Sequence, residues 1–443
     1  MYQINLQNII EKLPIMTNSS RNCAAKTDHN PGTTSSKKSG YSLITAFILL
    51  FTLTILNGCD TSGSVGSDII DDDGSTSTVT VDVNNITLLD TPTFSGRLPH
   101  SSIGFLEDPV YGTVQSSAVI KPVISRAQID TLTEDDSMLL KLIFNPIVYG
   151  NENTVSEFEI FEADEIWRGT QIRYGDDLAI NQQNKVGEFR LTADEDTVTV
   201  ELSDEWKTGF AEFFNSSSAD RDSTYRQNFT GLAIVPSQNN QNIRFLKHSA
   251  NDEDDEITSF LVRSTSVDED GDEVTEETIL DARDWASVYS RSNEPEPENS
   301  IVVHNTNNVL RMKLDLPDDE LTGKNIVNAQ LFLYKDSAPD STTPNITRPP
   351  LTQVRAHIFD AQPDDVMAEI FTNNAIFFTN NEEEEELFDI NITQFILDEV
   401  YGSQENRELY ITIQAVNGIL YSTHLFGTTD DTLNPKIIIT TVE

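Results

Sequence analysis

The stretch Thr197–Phe214, with the sequence TVTVELSDEWKTGFAEFF, shows the fold class most clearly. Its first part alternates apolar and polar residues, as a half-buried β-strand does. Its second part spaces its aromatic residues so that they share one face of a short amphipathic helix. These aromatic residues are Trp206, Phe210, Phe213 and Phe214. Three strand-like runs follow at 231–236 (GLAIVP), 243–248 (IRFLKH) and 257–263 (ITSFLVR).

The same order of elements recurs near the end of the chain. The run 387–393 (LFDINIT) leads into a predicted helix at 394–401, whose apolar residues are Phe395, Ile396, Val400 and Tyr401. Three strand-like runs again follow, at 409–414, 419–424 and 436–441. Further alternating runs occur at 78–83, 157–161 and 328–334. This weak internal repeat predicts an all-β chain of two tandem, jelly-roll-like β-sandwich domains, each with one short helix, at 79–267 and 274–443.

The N-terminal segment has the pattern of an export signal. Lys37 and Lys38 precede the apolar run Tyr41–Leu56, which is too short for a comfortable bilayer span. The tetrad Leu56-Asn57-Gly58-Cys59 resembles the bacterial lipobox, in which the cysteine thiol is acylated and the chain is cut before it. We therefore expect a leader and signal peptide at 1–58, a lipid on Cys59, and a flexible Gly/Ser/Thr/Asp tether at 59–78. The membrane is the partner that this anchor implies.

Composition excludes several kinds of chemistry. The formal net charge is −44, and no cluster of Lys or Arg stands out, so nucleic acid is not an expected partner. The two cysteines are Cys23, in the leader, and Cys59, the lipidation candidate. The mature chain therefore has no expected disulfide, thiolate nucleophile or cysteine-ligated metal. The acid excess makes stabilisation by salt or calcium a testable hypothesis.

One acidic run is a weak calcium candidate. Asp268, Asp270 and Asp272 alternate around Gly271 in the segment DEDGDE between the two predicted domains. The spacing does not follow the EF-hand order, and Asp-Gly is a favoured hairpin dipeptide, so a solvated turn is the preferred interpretation. The acidic runs at 252–256 and 382–386 are interpreted as solvated loops. No other cofactor is expected.

Histidines and aromatic residues offer few functional signals. His100, His248, His304, His357 and His424 show no spacing suited to a shared metal. Two of them, His248 and His424, occupy equivalent places in the repeat, which favours a structural role. Six aromatic residues could stack on a sugar ring, but a core or interface role is the preferred interpretation for them. They are Trp167, Trp206, Trp285, Tyr111, Tyr174 and Tyr289.

Two family resemblances bear on location and fold. The C-terminal half, with FDINITQFILDEVYG, ELYITIQ, THLFG and NPKIIITT, resembles the disaggregatase-related DNRLRE jelly-roll module of secreted proteins. That module usually has a Trp in its helix, whereas this chain has Phe395 and Tyr401. The earlier half, with Gly66-Ser67-Asp68, GFLEDPVYG at 104–112 and FTGLAIVP at 229–236, is similar to the domain-of-unknown-function 4270 family of outer-membrane lipoproteins. Neither resemblance brings a catalytic set to transfer.

The sequence thus favours a lipid-anchored component of the cell envelope, at the outer membrane and open to surface exposure. Its expected role is non-catalytic binding or assembly with an envelope partner. One alternative is a polysaccharide-binding surface module that captures glycan. Another is a carboxylate-dependent glycoside hydrolase, since paired carboxylates need only meet in space and this chain has many.

Overall fold

Antiparallel β-sheet makes up most of the structure, a computed structural model that describes residues 75–126, 129–250, 252, 255–267, 271–359, 361–372, 377–379, 386–402, 407–428 and 432–442. This confirms the predicted all-β class. The described residues form 22 strands and five α-helices.

The first thirteen strands are β1 Thr76–Asp82, β2 Asn85–Asp90, β3 His100–Asp108, β4 Gly112–Pro122, β5 Ser137–Ile143, β6 Tyr149–Gly150, β7 Ser156–Ala163, β8 Ile180–Leu191, β9 Thr197–Glu201, β10 Leu232–Pro236, β11 Asn242–Lys247, β12 Ser259–Val267 and β13 Glu273–Ser292. The remaining strands are β14 Ser300–His304, β15 Asn308–Lys313, β16 Asn325–Tyr334, β17 Val354–His357, β18 Phe377–Phe378, β19 Leu387–Asn391, β20 Glu408–Ile413, β21 Ser422–Phe426 and β22 Lys436–Val442. The helices are α1 Asp204–Phe214, α2 Arg221–Asn228, α3 Asp318–Leu321, α4 Val366–Thr372 and α5 Thr393–Tyr401.

Strands from both ends of the described chain build one body, which we name the terminal body (residues 76–90 and 300–442). Its two larger sheets have the orders β1-β22-β16-β19 and β18-β17-β20-β15-β2, and β14 pairs with β21 in a further two-stranded sheet. Apolar residues from both sheets, such as Leu331 and Ile411, are fully buried in one hydrophobic cluster. The terminal body is therefore a sandwich. Its edge strands β1 and β2 pair with β22 and β15, and they precede the other strands of this body by some 200 residues.

Strands β3–β13 build the second body, which we name the inserted body (residues 100–292). One layer has the order β9-β5-β12-β13, and β4 pairs with β13, β3 and β10 to continue the sheet. The 20-residue strand β13 joins the layers, because its first half pairs with β12 and its second half with β4. The hydrophobic core of the inserted body includes Phe158, Phe210 and Phe260.

The strand pairing in the two bodies shows the internal repeat that the sequence predicts. In the inserted body β5 pairs with β9 and β12, as β16 pairs with β19 and β22 in the terminal body. Likewise β10 lies between β4 and β7, as β20 lies between β15 and β17. The pair β1–β2 takes the place in the terminal body that β13 takes in the inserted body.

The pairing corrects the assignment of the domain edges at 79–267 and 274–443. Strands β1 and β2 pair with β22 and β15 of the terminal body, although residues 79–90 were assigned to the first domain. Strand β13 pairs with β12 and β4, although residues 274–292 were assigned to the second. An edge strand contributes no local signal of its partner, because pairing between distant segments depends on the whole sheet.

Helix α1 begins and ends as its sequence predicts. The Ser203 hydroxyl accepts a hydrogen bond from the Trp206 backbone N–H, and Asp204 and Glu205 lie in the first turn, where negative charge is favourable. Phe210 and Phe214 are fully buried in the hydrophobic core of the inserted body. Phe213 is only partly buried.

The other helices differ in part from the prediction. In α5, Phe395 and Ile396 are buried as predicted, but Tyr401 is 48% exposed and its hydroxyl donates to the Leu321 carbonyl at 3.1 Å. Helices α2, α3 and α4 were not predicted, so each body has more than one short helix. Helix α2 lacks an apolar stripe and buries only Tyr225, which explains why its pattern gives no helical signal.

The two bodies share a continuous core at their junction. Tyr149, Ile243 and Phe245 of the inserted body belong to the same buried cluster as the terminal-body core. Gly150 and Thr347 also exchange backbone hydrogen bonds of 2.8 and 2.9 Å across the junction. The bodies are therefore packed together, and the candidate site lies where they meet.

Candidate functional site

Two equivalent turns of the repeat meet at the junction. The turn between β3 and β4 follows Asp108, the last residue of β3. Its Oδ1 accepts hydrogen bonds from the backbone N–H groups of Val110 at 2.8 Å and Tyr111 at 3.3 Å. The turn between β14 and β15 begins at His304. The ring of Tyr111 lies edge-on to that of His304, 6.1 Å between centroids, and 5.1 Å from that of His424. The segment GFLEDPVYG, singled out in the sequence, thus supplies one side of the junction.

A buried ion pair joins the bodies at this point. Arg348 of the terminal body donates from Nε to Asp108 Oδ2 at 3.0 Å and from Nη2 to Oδ1 at 2.8 Å. The hydroxyl of Tyr149 also donates to Oδ2, at 2.8 Å. The side chain of Asp108 is 0% exposed and that of Arg348 is 14% exposed. Burial raises the pKa of Asp108, but the hydrogen bond and charge of Arg348 outweigh it and hold the pKa below its ordinary value.

A second group of charged side chains surrounds Glu294. The carboxylate Oε1 lies 3.2 Å from His304 Nε2 and 3.4 Å from Arg291 Nε. Arg291 donates to the Tyr289 hydroxyl at 2.6 Å, to the Tyr111 carbonyl, and to Ser422 Oγ at 3.3 Å. Its side chain is 6% exposed, so the guanidinium is fixed inside the junction.

Protonation in this group follows from burial and from neighbouring charges. Burial, reinforced by the charge of Arg291, lowers the pKa of His304 to about 4, against the opposing effect of Glu294. His304 is therefore neutral at pH 7. The contact with His304 lowers the pKa of Glu294, with help from Arg291, against the effect of partial burial. Glu294 is consequently a fixed carboxylate, whereas a general acid for glycoside hydrolysis needs a raised pKa.

A cleft of about 540 Å³ opens beside this group. We name it the junction cleft and define it by Asp90, Tyr174, Tyr289, Arg291, Glu294 and Asn307. The rings of Tyr174 and Tyr289 meet edge-to-face at 5.4 Å and form part of its wall. Its volume lies within the usual range of small-ligand pockets. The cleft combines a rigid aromatic and guanidinium wall with a carboxylate that is about two-fifths exposed.

The lipidation and calcium predictions fall largely outside the described residues. Cys59, the signal and nearly all of the tether are not described, and neither are Asp268 and Asp270. Asp272 lies between β12 and β13, which pair as antiparallel neighbours. Within the described ranges no three His, Cys, Asp or Glu side chains form a metal-binding group. In the same ranges no helix has the length and apolar character to cross a bilayer.

Four of the histidines contact a neighbouring strand or loop. His248 Nε2 lies 2.6 Å from Ser101 Oγ of β3, and His424 Nδ1 lies 3.1 Å from Ser300 Oγ of the equivalent strand β14. His100 contacts the Asn417 carbonyl, and His357 contacts Thr412 Oγ1 at 3.0 Å.

The six singled-out aromatic residues pack in the interior. Trp167, Trp206, Tyr111, Tyr174 and Tyr289 are each at most 5% exposed. Trp285 is partly buried, stacks on His248 at 4.8 Å and donates to the Leu98 carbonyl. The core or interface interpretation is therefore confirmed, although Tyr174 and Tyr289 also border the junction cleft.

Sequence reasoning missed the charged residues of the junction. Arg291, Glu294 and Arg348 have no motif of their own, and their partners are distant in the chain. The sequence does single out the segment at 104–112, and also Tyr174, Tyr289 and His304, which lie at the junction. None of these signals indicates a role for Asp108.

Comparison with known proteins adds little. No family model matches the chain, and no curated protein matches it. Among solved structures, the serine-rich repeat protein Srr2 from Streptococcus agalactiae is 10% identical, with 79% of this chain and 93% of that chain covered. The TM-score is 0.17, so nothing about this chain is taken from it. The two family resemblances drawn from the sequence stay predictions.

Proposed function

We propose that the protein is a lipid-anchored component of the cell envelope, tethered to the outer membrane through Cys59, that binds a partner in the junction cleft without catalysis. The lipobox-like tetrad and the polar segment after it support the tether. The junction cleft supports the binding role. Its fixed Arg291 and Glu294 are already paired within the protein, so the cleft is formed before a ligand arrives.

Preformed polar groups favour binding because little has to be reordered when a ligand enters. Arg291 makes three hydrogen bonds to Tyr289, Tyr111 and Ser422, and these hold its guanidinium in place. The side chain of Glu294 is partly exposed in the cleft. Because its pKa is lowered, Glu294 stays negatively charged at neutral pH. The ion pair between Asp108 and Arg348 joins the two bodies and so holds the walls of the cleft in a fixed relative position.

Site-specific photocrosslinking in living cells tests the binding role. A benzoylphenylalanine at Ser292, an exposed position in the cleft lining, should yield a discrete crosslinked product. The same probe at Gln182, an exposed residue of β8 that is not part of the cleft, is the matched control. Equal crosslinking from the two positions, or none from Ser292, would contradict the proposal.

Fractionation of the cells tests the tether separately. Wild-type protein should be recovered with membranes, and Cys59→Ala should be recovered in the soluble fraction. Protease treatment of intact cells then distinguishes a surface-facing protein, which is digested, from a periplasm-facing one, which is protected.

A further inference from the structure

A second cleft, of about 530 Å³, lies on the junction apart from the charged one. We name it the amide cleft. Its lining consists of Phe105, Leu106, Glu107, Asn151, the turn 238–241 and Asn345 with Ile346. The turn 238–241 connects β10 to β11 of the inserted body, whereas Asn345 and Ile346 belong to the terminal body. The amide cleft therefore exists only when the two bodies are packed together.

Several amide side chains in this cleft are free to bind a ligand. Gln238, Asn239, Gln241 and Asn345 are exposed, and within the described part of the chain none of them has a side-chain hydrogen bond. Each offers an N–H donor and a C=O acceptor side by side. That pairing matches neighbouring hydroxyl groups, which donate and accept in the same way.

The frame that carries these amides is fixed. Asn240 donates to the Glu157 carbonyl at 3.0 Å and accepts from the Glu157 N–H at 2.9 Å. Asn151 Oδ1 accepts from the Asn153 N–H at 3.0 Å. Two amides thus hold the loops in place while the others face solvent. A prearranged set of donors and acceptors lowers the ordering cost of binding.

The charge of the lining narrows the class of ligand. Among the described residues that line the amide cleft, Glu107 is the one that carries a charge, in a chain whose formal net charge is −44. A cleft without a cation offers no attraction to an anion, and a single exposed carboxylate is a poor site for a metal. Phe105 and Ile346 are half-buried and add apolar surface beside the amides. A neutral sugar needs this combination, because its ring has both hydroxyl groups and an apolar C–H face.

We propose that the amide cleft binds a neutral oligosaccharide, with Gln238, Asn239, Gln241 and Asn345 contacting hydroxyl groups and Phe105 contacting the ring. This inference goes beyond the proposed function, since it assigns a ligand class to a second site. It does not depend on the lipid anchor or on the junction cleft.

Affinity electrophoresis of the purified full chain tests the inference. Native gels are cast with dextran, mannan, xylan or laminarin, and retardation is compared with that in a gel without polysaccharide. The test variant is Asn239→Ala/Gln241→Ala, and the control is Gln182→Ala. None of these changes alters the net charge, so mobilities compare directly. Loss of two amide contacts should weaken retardation about tenfold.

The expected result is retardation of wild type and Gln182→Ala by at least one polysaccharide, with loss in the double variant. Because the ligand is uncharged, added NaCl should leave the retardation unchanged. The inference is overturned when no polysaccharide retards the wild type, when the double variant is retarded equally, or when salt abolishes the effect. Such a failure leaves the fractionation and crosslinking tests untouched, so the two proposals fail separately.

Discussion

Replacing Asp108 by Asn should destabilise the junction more than any exposed charge substitution. The change keeps the shape of the side chain but removes the carboxylate that Arg348 contacts at 2.8 and 3.0 Å. The guanidinium keeps its longer contact with Asp340, at 3.5 Å. Asp108 is fully buried and Arg348 is 14% exposed, so water replaces little of the lost interaction. Removing one member of a buried ion pair costs about 3–5 kcal/mol. Because Asp340 still offsets part of the charge of Arg348, we expect Asp108→Asn to lower the free energy of unfolding toward the lower end of that range, by about 3 kcal/mol.

Urea unfolding followed by two probes measures this loss. All three tryptophans, Trp167, Trp206 and Trp285, lie in the inserted body, so their fluorescence reports on that body alone. Circular dichroism reports on the strands of both bodies. Because the cores are continuous through the junction, the two probes should give one transition in the wild type. Asp108→Asn should lower the midpoint for both probes.

A double-mutant cycle separates the ion pair from other effects of the substitution. Arg348→Gln and the double variant complete the cycle, and the two sites should couple by about 0.5–3 kcal/mol. Glu277→Gln, which breaks an exposed pair with Arg263, is the control and should barely move the midpoint. Additive losses, or a change in Asp108→Asn no larger than in the control, would refute the buried pair as the link between the bodies.

Other expected outcomes concern the hydrophobic core, Gly104 in the segment GFLEDPVYG, and the dependence of stability on pH. Phe210→Ala on α1 should cost about 3–5 kcal/mol in urea unfolding, since the ring is fully buried; a loss under about 1 kcal/mol would contradict its place in the core. Gly104→Ala should lower the melting temperature, because its φ is +145° and a Cβ there would lie 2.2 Å from the Asn242 carbonyl oxygen; an unchanged melting temperature would contradict this packing. Burial, with the charge of Arg355, lowers the pKa of His357 to about 4, below the unfolded value of about 6.5, so the unfolded state binds more protons between these values. As the pH is lowered through this window, His357 should therefore reduce the stability, by up to about 1.4 kcal/mol per pH unit, and His357→Gln should lose less stability on acidification than the wild type; parallel curves would count against a buried, neutral His357.

The strands were predictable because their signal is local. The runs at 157–161, 197–202, 328–334 and 436–442 all fall on observed strands, since alternation of apolar and polar residues depends only on which side of a sheet each residue faces. Helix α1 was predictable for the same reason. Its cap at Ser203 and its buried aromatics lie within one short segment.

The partners of the edge strands and of the charged residues could not be predicted in this way. Nothing in residues 76–90 indicates that they pair with β22 and β15 rather than with the strands that follow them. Similarly, Asp108 and Arg348 are 240 positions apart, and a single Asp or Arg carries no mark of its partner. The repeat contained part of this information. In the inserted body β13 pairs with β12 and β4. By the repeat, the equivalent strands β22 and β15 of the terminal body also need partners, and β1 and β2 supply them.

The identity of the mature N-terminus tests the central claim, that a lipid on Cys59 tethers this two-body β protein to the cell envelope. The protein is extracted from membranes with detergent, and its intact mass and N-terminal peptide are measured by mass spectrometry. The account predicts a mature chain that begins at Cys59 and carries acyl chains on that residue. A chain that begins elsewhere, or an unmodified Cys59 in membrane-bound protein, would contradict it.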